Sequence, residues 1–239
     1  MKLGAQFYTL RDKCKDTNSF AESLARVADI GYTEVQISGV CKYEPEWLNE
    51  ELKKNLSRER YIHCLNVANQ AVELAGLYKA DEESAFVAGV LHDIAKEMPY
   101  SKQLEILQNE NYDPSTFTPK SNKIYHGWVG SVYAKNILNI QDQDILNAIR
   151  YHTTGRANMS LLERIVFASD CISLDRKYDG IEYFREACKV NLDIVIIDKL
   201  SNAMHKYIEK QKIIVQDTYE AYNYVVDYNN KKLERRYAK

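Results

Sequence analysis

The sequence lacks any apolar run approaching the roughly 20 residues that span a bilayer. Its opening, MKLGAQFYTLRD, has neither the long hydrophobic region nor the small-residue cleavage site of a secretion signal. A cytoplasmic protein is expected. Charge excess is missing too: 32 basic and 34 acidic residues are interspersed and leave a net charge of -2. That excludes the electrostatic footprint of a binder of nucleic acid polymers or membrane surfaces. A small polyanion needs only a local positive cluster and is not excluded. The five cysteines (Cys14, Cys41, Cys64, Cys171, Cys188) are odd in number and far apart, with no Cys-x-x-Cys pair. A disulfide scaffold, a cysteine zinc site and a dithiol redox centre are thereby set aside, and the thiols are expected reduced. No internal repeat or low-complexity segment is found. What remains is 239 residues of ordinary globular composition, enough for one large domain or a domain plus a fragment.

The chain divides unevenly. Residues 2–8 (KLGAQFY) and 33–40 (TEVQISGV) alternate like strands, and SFAESLARVADIGY between them has a helical stripe at Phe20, Leu24, Val27 and Ala28. Gly31 stands where a C-cap glycine belongs. This βαβ unit is the only one in the sequence. In GAQFYTLRD and ADIGYTEVQISG it resembles the opening of the sugar phosphate isomerase and epimerase family, an eight-fold (β/α) barrel. A barrel active site draws on loops from several strands, so one unit carries no isomerase activity.

From residue 46 onward the pattern is helical to the end. The expected fold is mainly α, a helical bundle over 46–239 behind a truncated βαβ segment over 1–45. Asp81 can cap a helix that ends before Pro99, and Ser101 can cap the next. Ser160 with Glu163, and Asp217 with Glu220, have capping-box spacing and mark two later starts. The polar stretch 109–123, with two prolines, reads as the one long loop.

Histidines carry the chemical signal. A His-Asp doublet such as His92-Asp93 arises by chance roughly three times in ten at this composition. Its company is what matters. His92 shares an inward stripe with Ala85 and Ala88, and His63 shares one with Val67, Ala71 and Leu74. His152 closes the helix DILNAIRYH behind Ile145 and Ile149, His126 opens HGWVGSVYAKNIL, and Asp170 ends the apolar stretch LLERIVFASD. One histidine on an apolar face is more often a satisfied core residue than a ligand. Four, with Asp93 and Asp170, reverse that balance, since burying them together without a cation strands their polarity. Imidazole and carboxylate suit iron, manganese or zinc.

The order His63, His92-Asp93, Asp170 resembles that of the HD-domain metal-dependent phosphohydrolases, with His126 and His152 marking a branch with two metals. More narrowly, GVLHDIAKEMP, HGWVG, NAIRYHTTGRANMSLLERIVFASD and LSNAMHKYIEK resemble the YqeK family of HD-domain hydrolases, over about residues 50–225. The resemblance implies an HD-domain helical bundle that cleaves diadenosine tetraphosphate symmetrically. It implies two divalent ions, iron first, with manganese or another divalent ion as alternatives. Asp93 would bridge them, with His63, His92 and Asp170 at one ion and His126 and His152 at the other, so that a shared hydroxide attacks phosphorus. The family motif S-D-Y-I-E-P-x-R reads SDCISLDR here, with Cys171, Ser173 and Leu174 departing and Arg176 matching.

For the phosphate chain, Lys96 follows His92 by one turn and is expected on the same helix face. Thr153, Thr154, Gly155 and Arg156 follow His152 directly and offer hydroxyls, a glycine backbone and a guanidinium suited to phosphate. Asp93, Lys96 and Arg156 are therefore the catalytic candidates, and Arg176 joins Lys96 and residues 153–156 as substrate contacts. Arg60 is a further candidate for the outer phosphates. His205 stands outside the set. Two other readings stay open: an HD phosphohydrolase of another nucleotide, and a nucleotide-binding sensor or adaptor with a structural metal. The expected partner is a small dinucleoside polyphosphate, and the oligomeric state, homodimer included, is left open.

Overall fold

The computed structural model describes residues 4–6, 34–36, 45–110 and 122–237. Strands β1 (Gly4–Gln6) and β2 (Glu34–Gln36) pair in parallel, with Gly4 opposite Glu34 and Gln6 opposite Gln36. They are shorter than the alternation suggested. The helix expected between them lies outside the described residues, as does most of the loop expected at 109–123.

Ten helices make up the rest of the described chain: α1 (Pro45–Asn55), α2 (Arg58–Tyr78), α3 (Glu82–Leu91), α4 (Tyr100–Asn109), α5 (Asn122–Asn136), α6 (Gln143–Tyr151), α7 (Leu161–Ile172), α8 (Ile181–Cys188), α9 (Asp193–Glu209) and α10 (Gln216–Tyr237). The mainly α architecture is as expected. One core runs through Leu52 of α1, Leu74 of α2, Leu91 of α3, Ile149 of α6, Ile165 of α7, Ile196 of α9 and Ala221 of α10. Each buried Leu or Ile contributes about 1.5–3 kcal/mol. This core fixes the helices on which the histidines ride.

Several boundaries differ from expectation. Asp81 does cap α3, accepting from the Ser84 amide at 2.7 Å, but the helix stops at Leu91 instead of running to Pro99. Residues 92–98 form tight turns closed by Ile94 N–H to Leu91 O, Lys96 N–H to Asp93 O and Met98 N–H to Ala95 O. Two side chains make this break tolerable. The Nδ1–H of His92 takes the Gly89 carbonyl at 2.6 Å. Buried Gln103 from α4 donates to the carbonyls of Ala95 (3.2 Å) and Met98 (2.8 Å). A second, smaller cluster of Ala95, Met98, Leu107, Tyr125 and Val129 seats the turn on α4 and α5.

Helix α4 begins at Tyr100 with Pro99 at its cap and no side-chain cap bond, so Ser101 lies inside the helix and does not cap it. Helix α5 starts at Asn122, four residues before His126, which therefore sits in its second turn. Ser160 and Glu163 form the full capping box of α7. Asp217 falls within the first turn of α10, whose opening amides at Thr218 and Tyr219 donate to Val215 O.

Two glycines let the helices that carry the histidines come close. A Cβ on Gly89 of α3 would stand 2.8 Å from the Ala68 Cα of α2, and one on Gly127 of α5 would stand 2.7 Å from the Arg150 carbonyl oxygen of α6. In both places the neighbour is backbone and cannot turn aside. At Gly130, one turn on, the nearest atoms are side-chain methyls at 3.3 Å. Replacing a helical glycine by alanine gains up to ~1 kcal/mol in propensity, whereas overpacking costs ~1–3 kcal/mol. Gly127→Ala is therefore expected to lower the midpoint of chemical denaturation and Gly130→Ala to leave it nearly unchanged. Equal effects at the two positions would contradict the close approach of α5 and α6.

Candidate metal centre

Six side chains from five elements meet in one buried space. His63 comes from α2, His92 and Asp93 from the turn after α3, His126 from α5, His152 from the end of α6 and Asp170 from α7. His92 and His126 are fully buried, and His63, Asp93 and His152 nearly so. Asp93 is the hub: its Oδ1 lies 3.0 Å from His126 Nε2 and 3.4 Å from His152 Nε2, and its Oδ2 lies 3.5 Å from His92 Nε2. His63 Nε2 is 3.1 Å from Asp170 Oδ1, and the Nε2 atoms of His126 and His152 are 3.0 Å apart.

The rings are oriented by what their other nitrogens bond. A carbonyl can only accept, so the bonds from Nδ1 of His92 to Gly89 O (2.6 Å) and of His152 to Ile149 O (2.8 Å) put the proton on Nδ1. Their Nε2 lone pairs then face the centre whenever the rings are uncharged. Burial holds the pKa of His92 and of His126 down to about 4, against the opposite pull of Asp93, so both rings are uncharged at neutral pH. Burial raises the Asp93 pKa, but His92, with bonds to His126 and His152, outweighs it and keeps the carboxyl well below its ordinary value. His63 differs. Burial opposes its charge, yet hydrogen bonds to Asp170 and Asp175 prevail and raise its pKa to about 9. A cation arriving at Nε2 of His63 must displace that proton.

These donors fit a metal. His92 Nε2 and Asp93 Oδ1 are buried with no hydrogen bond of good geometry, a condition that costs about 1–3 kcal/mol per group and that a cation relieves. Two overlapping groups have ligand atoms within 4.8 Å of one another: His63, His92 and Asp170, and His92, Asp93 and His152. Positive charge is also welcome at the rim. Lys96 Nζ sits 3.1 Å from His126 Nε2 and 3.5 Å from Asp93 Oδ1, Arg60 donates to Asp93 Oδ2 at 2.8 Å, and the Arg176 guanidinium bonds both the side chain and the carbonyl of Asp170. Lys96 reaches the centre as expected, though from a turn and not along a helix face.

The residues after His152 part company. The Thr153 hydroxyl lies 2.9 Å from His152 Nε2 and 3.3 Å from His126 Nε2, within the centre. Thr154 is buried and spends its hydroxyl on the Gly155 carbonyl at 2.9 Å. Gly155 has a φ of +64°, and a Cβ there would meet the Ala221 methyl at 2.9 Å, so this glycine serves the approach of α10. Arg156 forms a two-pronged pair with Glu163, Nε to Oε1 at 2.6 Å and Nη2 to Oε2 at 2.7 Å. Glu163 is itself buried and caps α7 through the Ser160 amide at 2.6 Å. The helix link thus uses its arginine structurally, where a phosphate contact was expected. His205 lies exposed on α9 beside Glu209, outside the centre.

Three contributors had not been foreseen. Asp175 accepts from His63 Nδ1 at 2.7 Å, and Asn66, one turn beyond His63, donates to its other oxygen at 3.2 Å. Asn66 was readable from its i+3 spacing, but Asp175 reaches the site from a loop 112 residues away and left no periodic trace. Glu97 joins the HD turn to the start of α2, accepting from the Ser57 amide at 2.5 Å and from its hydroxyl at 2.8 Å.

A buried cluster of imidazole and carboxylate on a helical bundle defines a metal-binding HD-type site, and residues 60–175 match the model of the HD domain. The chain is 34% identical over 175 residues to "Bis(5'-nucleosyl)-tetraphosphatase, symmetrical" of Bacillus subtilis, a match covering 73% of this chain and 94% of that protein. A protein of the same name from Halalkalibacterium halodurans is 36% identical over 172 residues, covering 72% and 91% of the two chains. The crystal structure of a "predicted HD superfamily hydrolase involved in NAD metabolism" from Clostridium acetobutylicum superposes with a TM-score of 0.72 at 36% identity, over 78% of this chain and 98% of that one. The chain belongs to the YqeK family of HD-domain hydrolases, the symmetrical bis(5'-nucleosyl)-tetraphosphatases.

The Arg156–Glu163 pair yields a test. Glu163→Ala removes a buried cap and strands both the Ser160 amide and the guanidinium, and is expected to cost about 2 kcal/mol. Urea titration checks it. An unchanged midpoint would return Arg156 to a purely substrate-facing role.

Proposed function

We propose that the protein hydrolyses dinucleoside tetraphosphates at the central phosphoanhydride, converting diadenosine tetraphosphate into two molecules of ADP. The observation that carries this reading is that the HD-domain match, residues 60–175, contains all six converging donors, in a chain that spans nearly the whole length of relatives named for that reaction. We further propose two divalent ions, iron first and manganese as the alternative. His63, His92 and Asp170 would hold one and His126 and His152 the other, with Asp93 shared between them. Bound there, the ions would acidify water and offset charge on the phosphoryl oxygens.

The chain's own residues would then divide the work. Lys96 would set its ammonium against a phosphoryl oxygen, and the Thr153 hydroxyl would orient the same group. Arg60 and Arg176 line the same rim and suit the outer phosphates. Attack by water forms one P–O bond as the bridging P–O bond breaks, and the departing diphosphate needs charge stabilisation more than a strong acid, because it is weakly basic. Asp93, Lys96 and Arg156 were the catalytic candidates. The pairing of Arg156 with Glu163 and the burial of Thr154 favour Lys96 and Thr153 as the direct contacts.

A second reading, hydrolysis of another nucleotide, draws on the description of the solved relative as involved in NAD metabolism. Incubating the metal-analysed protein with diadenosine tetraphosphate and separating the products distinguishes the two. ADP alone is expected. ATP with AMP would overturn central attack, and turnover only of other nucleotides would favour the second reading. His92→Ala and Asp93→Ala should each lower turnover at least 100-fold and reduce metal content together, since loss of even a supporting group near a metal costs ~10–100-fold. Full activity in either would contradict the assignment.

We also propose that residues 46–239 form the hydrolase unit and residues 1–45 an appendage. Two features support this division: α1 is tied to α5 by Tyr133 O–H donating to Glu51 at 2.7 Å, and the curated relatives cover about 72% of the chain. Removing residues 1–45 should leave the specific activity within about twofold of the full chain, as the deletion takes only Pro45 from the described helices and the core begins at Leu52. A folded but inactive deletion protein would refute it.

A further inference from the structure

His63 differs from the other oriented histidines in what holds it. His92 and His152 each have Nδ1 fixed by a backbone carbonyl of their own helix, three residues back. Those bonds are local, closed within three residues of each ring. His63 Nδ1 is instead bonded to a side chain, Asp175, at 2.7 Å, from the loop after α7. That carboxylate is held in turn: Asn66 Nδ2 donates to its second oxygen at 3.2 Å. The loop itself is pinned by Arg185 of α8, which donates to the carbonyls of Ile172 (3.0 Å) and Ser173 (2.9 Å), and by the Arg176 amide donating to Ser173 O at 2.9 Å. The same short loop presents Arg176 to Asp170. Both His63 and Asp170, two members of one donor group, thus depend on residues 173–176, whereas Asp93, His126 and His152 make none of these bonds.

We infer that Asp175 is a positioning residue for His63 that sets cation binding at the group His63, His92 and Asp170, and leaves the group Asp93, His126 and His152 largely untouched. The inference rests on the metal-centre reading above. When a cation takes Nε2 of His63 in place of its proton, Asp175 keeps the remaining proton on Nδ1, fixes the ring plane and makes the imidazole a better donor. Removal of such a partner typically weakens metal binding by roughly 10–100-fold. The carboxylate stands at a position where the family motif specifies no residue, next to the departures at Ser173 and Leu174.

Equilibrium dialysis of the full-length protein against Mn²⁺ tests this, with manganese in protein and buffer measured by atomic absorption. Wild type is expected to bind two equivalents. Asp175→Ala should weaken one equivalent at least tenfold, keep the other within about threefold and retain the wild-type thermal midpoint within a few degrees. Asp175→Glu, which keeps a carboxylate in reach of Nδ1, should restore part of the lost affinity. Two equivalents of wild-type affinity in Asp175→Ala would overturn the inference alone, as would equal weakening of both. Loss of binding that tracks a collapsed thermal midpoint and is not restored by Asp175→Glu would also overturn it, by showing that the residue only holds the fold. Absence of Mn²⁺ binding by wild type would sink the metal-centre reading instead, so the two failures are told apart.

Discussion

A carboxylate buried at the middle of a helical bundle has to have its charge met, and the arrangement around Asp93 follows from that need. Its two oxygens face His126 and His152 on one side and His92 and Arg60 on the other, with Lys96 closing the rim. An uncompensated buried carboxylate would cost several kcal/mol, a sizeable part of the 5–15 kcal/mol by which a domain of this kind is stable. No single partner supplies the compensation. Four elements, α2, the turn after α3, α5 and α6, must bring their groups to within 4 Å of this carboxylate, so the accuracy of helix packing and the solvation of Asp93 become one problem.

The packing solves it with backbone contact where side chains would hold the helices apart. Gly89 sets α3 against Ala68 of α2, which brings the HD turn beside His63. Gly127 sets α5 against the Arg150 carbonyl of α6, which brings Nε2 of His126 to 3.0 Å from that of His152. The break after Leu91 belongs to the same logic. A continued helix would point residues 92 and 93 in directions about 100° apart, whereas the turn lets both face the centre. Gln103, Glu97 and the second apolar cluster then hold a segment that has given up its helical hydrogen bonds.

Much of this was legible in the sequence, and what was not has identifiable causes. His63, His92, His126, His152 and Asp170 stand out because helical spacing places each among residues that must be buried, and a polar group repeated in that setting is conspicuous. The Ser160 and Glu163 box follows from local chemistry alone. The end of α3 lies earlier than the local pattern places it, because the bonds that support the break come from a glutamine 11 residues beyond His92, invisible to that pattern. The start of α5 is hard to read because Asn122 and Lys123 continue the polar stretch before it and no side-chain cap marks the boundary by spacing. Arg156 reads as a phosphate contact for a similar reason: Glu163 reads as a cap, and nothing in spacing shows that one carboxylate serves both. Asp175 needed the fold itself, since a loop carries no period.

Charge balance connects the site to its substrate class. Among the described residues at the centre, Asp93, Asp170 and Asp175 face Arg60, Lys96 and Arg176, three carboxylates against three permanent cations, while Arg156 is committed to Glu163. His92 and His126 are held uncharged by burial, and the positive charge on His63 is shared between Asp170 and Asp175. The His63 proton is the one positive charge in excess, and a cation arriving at Nε2 displaces it, so the side chains alone keep little positive potential for a polyphosphate, whose several negative charges are its chief recognition handle. Surplus positive charge must therefore come with the cations that the imidazoles are built to accept. The same lone pairs that leave His92 Nε2 and Asp93 Oδ1 without hydrogen bonds are what allow the site to gain that charge. A family that acts on highly anionic nucleotides can thus keep a binding site that is close to neutral in its own side chains, and the -2 net charge of the whole chain is no obstacle to its chemistry.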